Sequence, residues 1–153
     1  MGIARFVSCL GITALLACAT EKAATSETKT FNVPLTKACP AAGANAIGSA
    51  TISVAGDGSS IMATVTYSGL SGDPTAAHIH IGATGVAGPV VLPFSGSLAS
   101  PFSKTFTAAD YVAASGAPPD FAAFVVALKA GGSSYVNVHT AACKPGEIRG
   151  EIQ

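Results

Sequence analysis

From Phe31 to the C-terminus, apolar and polar residues alternate in short runs broken by Gly, Pro, Asn and Ser. The run Ala46 to Val54 (AIGSATISV) stops at Gly56-Asp57-Gly58-Ser59-Ser60, and Ile61 to Tyr67 (IMATVTY) resumes the alternation. Two arms rich in β-branched residues around such a turn predict a hairpin. Further runs of period two lie at Ala76 to Ile81 (AAHIHI), Pro89 to Phe94 (PVVLPF), Phe102 to Phe106, Tyr135 to Thr140 (YVNVHT) and Glu147 to Ile152 (EIRGEI). Strands of this length with turn residues between them predict an all-β fold, an antiparallel sandwich or barrel. One segment changes period. Pro119 to Ala130 sets Phe121, Phe124, Val125 and Leu128 at helical spacing, begins behind prolines and ends on Gly131-Gly132, the asymmetry expected of a helix. A second short helical turn is expected from Thr107 to Val112. The chain contains no internal repeat.

The N-terminal pattern is of another kind. Met1 to Arg5 is a short positive start, and Phe6 to Ala17 is an apolar run of 12 residues. A spanning helix needs about 20 apolar residues, so residues 1–17 read as a secretory signal peptide. The run closes on Leu15-Leu16-Ala17-Cys18, which resembles the bacterial lipobox. That resemblance implies acyl chains on Cys18 and a membrane partner, with Ala19 rather than Asp suiting outer-membrane sorting. The alternative is an ordinary signal peptide with an incidental cysteine. Residues 18–30, which include ATEKAATSETKT, carry almost nothing to bury and read as a flexible tether, which leaves 31–153 as the folded domain. The expected address is exported, on the cell envelope.

Composition narrows the function. Charged residues make up 10% of the chain, 8 basic against 8 acidic, while 49% is hydrophobic. A neutral chain with no basic cluster is a poor nucleic-acid partner. Disorder would need the opposite balance of charge and apolar content. Of the cysteines, Cys39 and Cys143 remain in the folded part, one near each end, beside Pro40 and Lys144-Pro145-Gly146. In an oxidising compartment such a pair reads as a disulfide at the domain edge. The rival is two free thiols joining a metal site.

All three histidines fall in expected strands. Side chains alternate faces along a strand, so His78 and His80 share one face with Ile79 and Ile81 on the other. In YVNVHT, Tyr135, Asn137 and His139 oppose Val136 and Val138. If these strands are neighbours, three imidazoles converge, a donor set suited to copper or zinc. The other reading makes the rings strand-to-strand struts. In the last strand Glu147, Arg149 and Glu151 share a face. Arg149 is expected to pair with Glu147 or a neighbouring carboxylate and frame the histidine face, against a plain solvated stripe. Asn137 is expected to satisfy a backbone group, the alternative being that it binds a ligand. Nucleophile elbows, P-loops and paired carboxylates are absent, and Gly82 to Pro89 (GATGVAGP) leads into a strand rather than a phosphate-binding helix. The chain therefore reads as a non-enzyme.

Three segments together resemble the chordin-type (CHRD) domain family: Thr75 to His80 (TAAHIH), Gly85 to Val91 (GVAGPVV), and Tyr135 to Thr140 with Gly146 to Ile152 (YVNVHT, GEIRGEI). The resemblance covers roughly 31–153 and implies an extracellular or exported β-sandwich, Greek-key and superoxide-dismutase-like, with one or two short helices. It maps the family's characteristic positions onto His78, His80, His139, Glu147 and Arg149. The sequence departs at Ile81, where many members have glycine, and at Cys143-Lys144-Pro145, where Asn-Pro-Gly is common. A weaker likeness is to copper/zinc superoxide dismutases, but three histidines cannot build their two metal sites. The leading expectation is a membrane-tethered binding or structural module whose partner is an envelope protein or polysaccharide. The alternative is copper or zinc handling at His78, His80 and His139.

Overall fold

A computed structural model of the chain describes residues 27–153; the signal segment and Cys18 lie outside the described residues. Eight strands form: β1 (Lys29–Lys37), β2 (Ile47–Val54), β3 (Ile61–Ser68), β4 (Pro74–Ile81), β5 (Val90–Pro93), β6 (Phe102–Phe106), β7 (Ser134–Thr140) and β8 (Ile148–Ile152). They make one antiparallel sheet in the order β5-β4-β7-β8-β1-β2-β3-β6. The all-β expectation holds, and the sheet curls far enough to be nearly a barrel.

The strand that joins the two halves has no explicit counterpart in the sequence reading. In β1, Phe31, Val33 and Leu35 point inward and are buried, but Pro34 interrupts the run. The strand starts at Lys29, so the last two residues of the expected tether belong to the domain. Lys29 to Leu35 pair with β2, whereas Thr36 and Lys37 pair with β8. Proline is tolerated where a ladder is irregular, and Pro34 stands next to this change of partner. Two glycines let the strands come close there. A Cβ on Gly48 would meet the Thr66 carbonyl oxygen at 2.5 Å, and one on Gly150 would meet that of Pro34 at 2.3 Å.

The inward positions of both halves fill one core, from Ile52, Val54, Ile61 and Val65 on one side to Ile79, Leu92, Val136 and Ile148 on the other. The outer strands β5 and β6 approach each other through side chains. The Phe94 ring packs edge-on to Phe102 and Phe106 at 5.1 and 5.0 Å, and the Lys104 ammonium donates to the Pro93 carbonyl at 3.3 Å. The helix α1 (Phe121–Lys129) buries Phe121, Phe124, Val125 and Leu128, the four residues picked out by their spacing. The expected second turn is a short 3-10 helix at Ala108–Asp110. At the start of α1 the Asp120 carboxylate accepts from the Ala123 N–H at 2.8 Å. Asp120→Ala should cost about 1 kcal/mol, a fall of roughly 4 °C in Tm; an unchanged Tm would show that core burial alone sets this helix end.

Cys39 and Cys143 form a disulfide between chain segments 104 residues apart. It links the loop after β1 to the turn between β7 and β8, as the edge-staple reading expected. The free-thiol alternative is set aside.

Candidate metal centre

Strands β4 and β7 are antiparallel neighbours, with His78 opposite Asn137, His80 opposite Tyr135 and Ala76 opposite His139. Alternation sends Ala77, Ile79, Val136 and Val138 into the core, where all are fully buried. The other face therefore collects His78, His80, Tyr135, Asn137 and His139. Their convergence follows from the two-residue period once the strands pair. One potential ligand atom from each of the three histidines lies within 4.8 Å of the other two. Among the described residues no carboxylate or thiol joins this group.

Hydrogen bonds orient the rings. His80 Nδ1 lies 2.8 Å from the Gly88 carbonyl oxygen, and His139 Nδ1 lies 2.7 Å from that of Lys144. A carbonyl only accepts, so both Nδ1 atoms carry the proton and both Nε2 atoms keep a lone pair. His78 Nδ1 sits 3.0 Å from His139 Nε2 and donates to it. A change of tautomer on His78 alone would convert that contact into a third free lone pair. Burial, with His139 and His80 close by, pushes His78 down to about 4. Burial also lowers His80, against the opposing pull of its Gly88 hydrogen bond. Both rings are thus neutral near pH 7, the form that ligates metal.

Two loops wall the site. The first is the stretch from Gly82 to Pro89. Gly88 packs so tightly that a Cβ would lie 1.7 Å from the Ile81 carbonyl oxygen, which keeps its own carbonyl against His80. Arg149 holds this loop, donating to the carbonyls of Val86 at 3.0 Å and Ala83 at 3.2 Å. Its guanidinium carbon lies 3.3 Å from the Tyr135 ring centroid. The Tyr135 ring in turn stacks on His80, 4.6 Å between centroids and 7° between planes. The second wall is the turn from Ala141 to Glu147, which supplies the Lys144 carbonyl. His80 is 7% exposed, while His78 and His139 are only partly buried, so the cluster opens to solvent on their side. A surface depression of about 540 Å³ contains Arg149 and Glu151 but none of the histidines.

The remaining polar residues divide. Arg149 pairs with Glu151, Nε to Oε1 at 2.8 Å, and frames the site as expected. Glu147 does not pair with it. It precedes β8 and is fully buried, because its carboxylate accepts from the Gly43 N–H at 2.8 Å and from the Ser71 N–H and hydroxyl at 2.6 Å each. The Thr140 hydroxyl donates as well. Burial alone would raise this carboxyl, but these four donors outweigh it and hold it at about 2. Two-residue alternation cannot reveal this, since Glu147 lies in the turn, outside the strand period. Asn137 is 2% exposed. Its carboxamide oxygen lies 3.2 Å from His80 Nε2 and its amide nitrogen 3.5 Å from the Pro145 carbonyl. A half-turn of the carboxamide would present an N–H to the His80 lone pair at the expense of the Pro145 contact. The carbonyls of Gly88 and Lys144 had no signal in the sequence, since any residue type supplies one.

A family model described as CHRD domain matches residues 31–152. No curated protein and no solved structure matches the chain.

Proposed function

Because the chain belongs to the CHRD domain family, with the match spanning nearly all of its β-domain, we propose that this copy of the domain binds one copper or zinc ion at His78, His80 and His139. The carrying observation is that backbone carbonyls orient two of the rings through Nδ1, which leaves Nε2 of each as the lone-pair nitrogen, with the third ring 3.0 Å from one of them. Metal-binding histidines almost always have the other ring nitrogen hydrogen-bonded in this way. Three imidazoles with an open side leave a coordination position for water or an incoming ligand. Metal handling or redox chemistry on the exported side of a membrane is the role this suits, with Cys18 as the lipid-bearing residue that holds the domain to the envelope.

The test is metal content after copper and zinc are each offered to protein lacking a polyhistidine tag. About one ion per chain is expected, as a single three-ligand site holds, and His80→Ala or His139→Ala should abolish it. A wild-type protein that stays metal-free after loading sinks the reading.

A second reading, a binding or structural module for an envelope partner, has its own support. The outward face of β1, β2, β3 and β6 lines up Thr30, Ser53, Met62 and Thr105 in one cross-strand row and Asn32, Thr51, Thr64 and Ser103 in the next. An uncharged face of hydroxyls and an amide, with the exposed Met62 side chain among them, suits a neutral polysaccharide better than a charged protein surface. Retention of the protein on isolated envelope polysaccharide, lost in a Thr51→Lys/Thr64→Lys variant, would support it; failure to retain any envelope component would remove it.

A further inference from the structure

We infer that the Cys39–Cys143 disulfide sets the metal affinity of the histidine site, so that reduction by a dithiol weakens binding. The inference rests on the metal reading above. Its basis is the turn between β7 and β8, which carries both the disulfide and the carbonyls that orient the site. Cys143 is followed directly by Lys144, whose carbonyl accepts the His139 Nδ1 proton at 2.7 Å. The next residue, Pro145, presents its carbonyl to Asn137, the residue facing His80 Nε2. Within the turn, the Cys143 N–H donates to the Thr140 carbonyl at 3.1 Å and the Gly146 N–H to that of Cys143 at 3.0 Å. At the Glu147 end, the Glu147 N–H donates to Val138 and the Ala38 N–H to the Glu147 carbonyl, at 2.7 and 2.8 Å. At the Cys143 end the disulfide ties the turn to the loop after β1.

The two sulfurs are not equally reachable. Cys143 is 1% exposed, whereas Cys39 is partly exposed. A thiolate of the dithiol therefore attacks the Cys39 sulfur, the Cys39–Cys143 bond breaks, and Cys143 leaves as a thiolate that takes up a proton. The second thiol of the reductant then closes on the mixed disulfide and releases Cys39 as a thiol. Two electrons and two protons pass to the protein, and the reductant ends as its own disulfide. With the turn untied on that side, the Lys144 peptide no longer fixes the His139 ring, and His139 gains the tautomer that occupies its Nε2. Loss of such an orienting partner typically weakens metal binding about 10–100-fold. The oxidising exported compartment keeps the tight form.

The experiment titrates zinc alone, against a chromogenic chelator, into the full oxidised chain, a Cys39→Ser/Cys143→Ser variant, and wild type reduced with a phosphine and alkylated. Serine and alkylation prevent the freed thiols from ligating zinc themselves. Both disulfide-free forms should bind about 10–100-fold more weakly while circular dichroism shows the sheet intact. Leu128→Ala, which destabilises the core from α1, should keep wild-type affinity. A folded disulfide-free form with wild-type affinity overturns the inference and leaves the metal site standing. Failure of the oxidised wild type to bind zinc here, and copper in the loading test above, removes the metal reading and this inference with it. Should the serine variant not fold, zinc release is followed during phosphine reduction of the loaded wild type. Release before the strand signal falls supports the inference, and release only together with that signal overturns it.

Discussion

Glu147→Ala is expected to destabilise the domain by about 3–5 kcal/mol, a large part of the 5–15 kcal/mol that holds a typical domain together. The carboxylate satisfies two backbone N–H groups and two hydroxyls from three separate chain segments, at Gly43, Ser71 and Thr140. Alanine leaves the two N–H groups without an acceptor in a buried site, while the two hydroxyls, 3.2 Å apart, can still bond each other. Urea unfolding should show the loss as a lower midpoint with an unchanged slope. A shift below about 1 kcal/mol, the size of an exposed contact, would mean that water replaces the carboxylate at no cost. The same group predicts a pH dependence. Its pKa falls from 4.5 to about 2 on folding, so the unfolded chain takes up the proton first as the solution is acidified. The stability this carboxylate contributes is complete above pH 4.5 and is lost as pH falls toward about 2. Glu147→Gln should flatten that part of the profile and cost less than alanine. A wild-type profile already flat across the window would refute the assignment.

Gly150→Ala should cost about 3 kcal/mol or more, at the upper end of overpacking effects. The new methyl would lie 2.3 Å from the Pro34 carbonyl oxygen and 2.6 and 2.7 Å from the side chains of Val33 and Leu35. The nearest of these is backbone, which cannot rotate away, and β1 at this point is passing from β2 to β8. The expected result is poor folding yield or a Tm lower by roughly 10 °C or more. Gly72→Ala is the matched control, since a Cβ there meets nothing within 4 Å and stability should barely change. Equal effects at the two positions would show that backbone entropy, not close approach, governs both.

Much of the site was legible because it depends on period. The alternation in AHIH and YVNVHT assigns His78, His80 and His139 to one face without knowledge of the fold, and only the adjacency of the two strands had to come from elsewhere. The helix was equally plain, since Phe121, Phe124, Val125 and Leu128 repeat at its pitch. What stayed hidden depends on main-chain groups and turns. The Gly88 and Lys144 carbonyls have no residue-type signature. Tyr135 was placed on the right face, yet its position between Arg149 and His80 depends on how the Gly82 to Pro89 loop folds back. Glu147 looked like one more residue of the last strand, and its burial follows from tertiary contacts with Gly43 and Ser71 on distant loops. Pro34 broke the pattern of β1 at the place where the strand changes partner.

The meeting of β5 and β6 also bears on how copies of this protein treat one another. A sheet with two bare outer strands offers each a row of unpaired N–H and C=O groups on which another chain can build. Strong net charge normally discourages such growth, but here 8 positive side chains offset 8 negative ones, so mutual repulsion is weak. The seam of Phe94, Phe102 and Phe106, with Lys104 reaching across to Pro93, sets each outer strand against the other. On the β5 side the Val112 N–H also takes the Val91 carbonyl at 2.9 Å. Closure thus does for colloidal solubility what net charge does in more highly charged domains: it leaves a nearly neutral chain less open edge on which another copy can build.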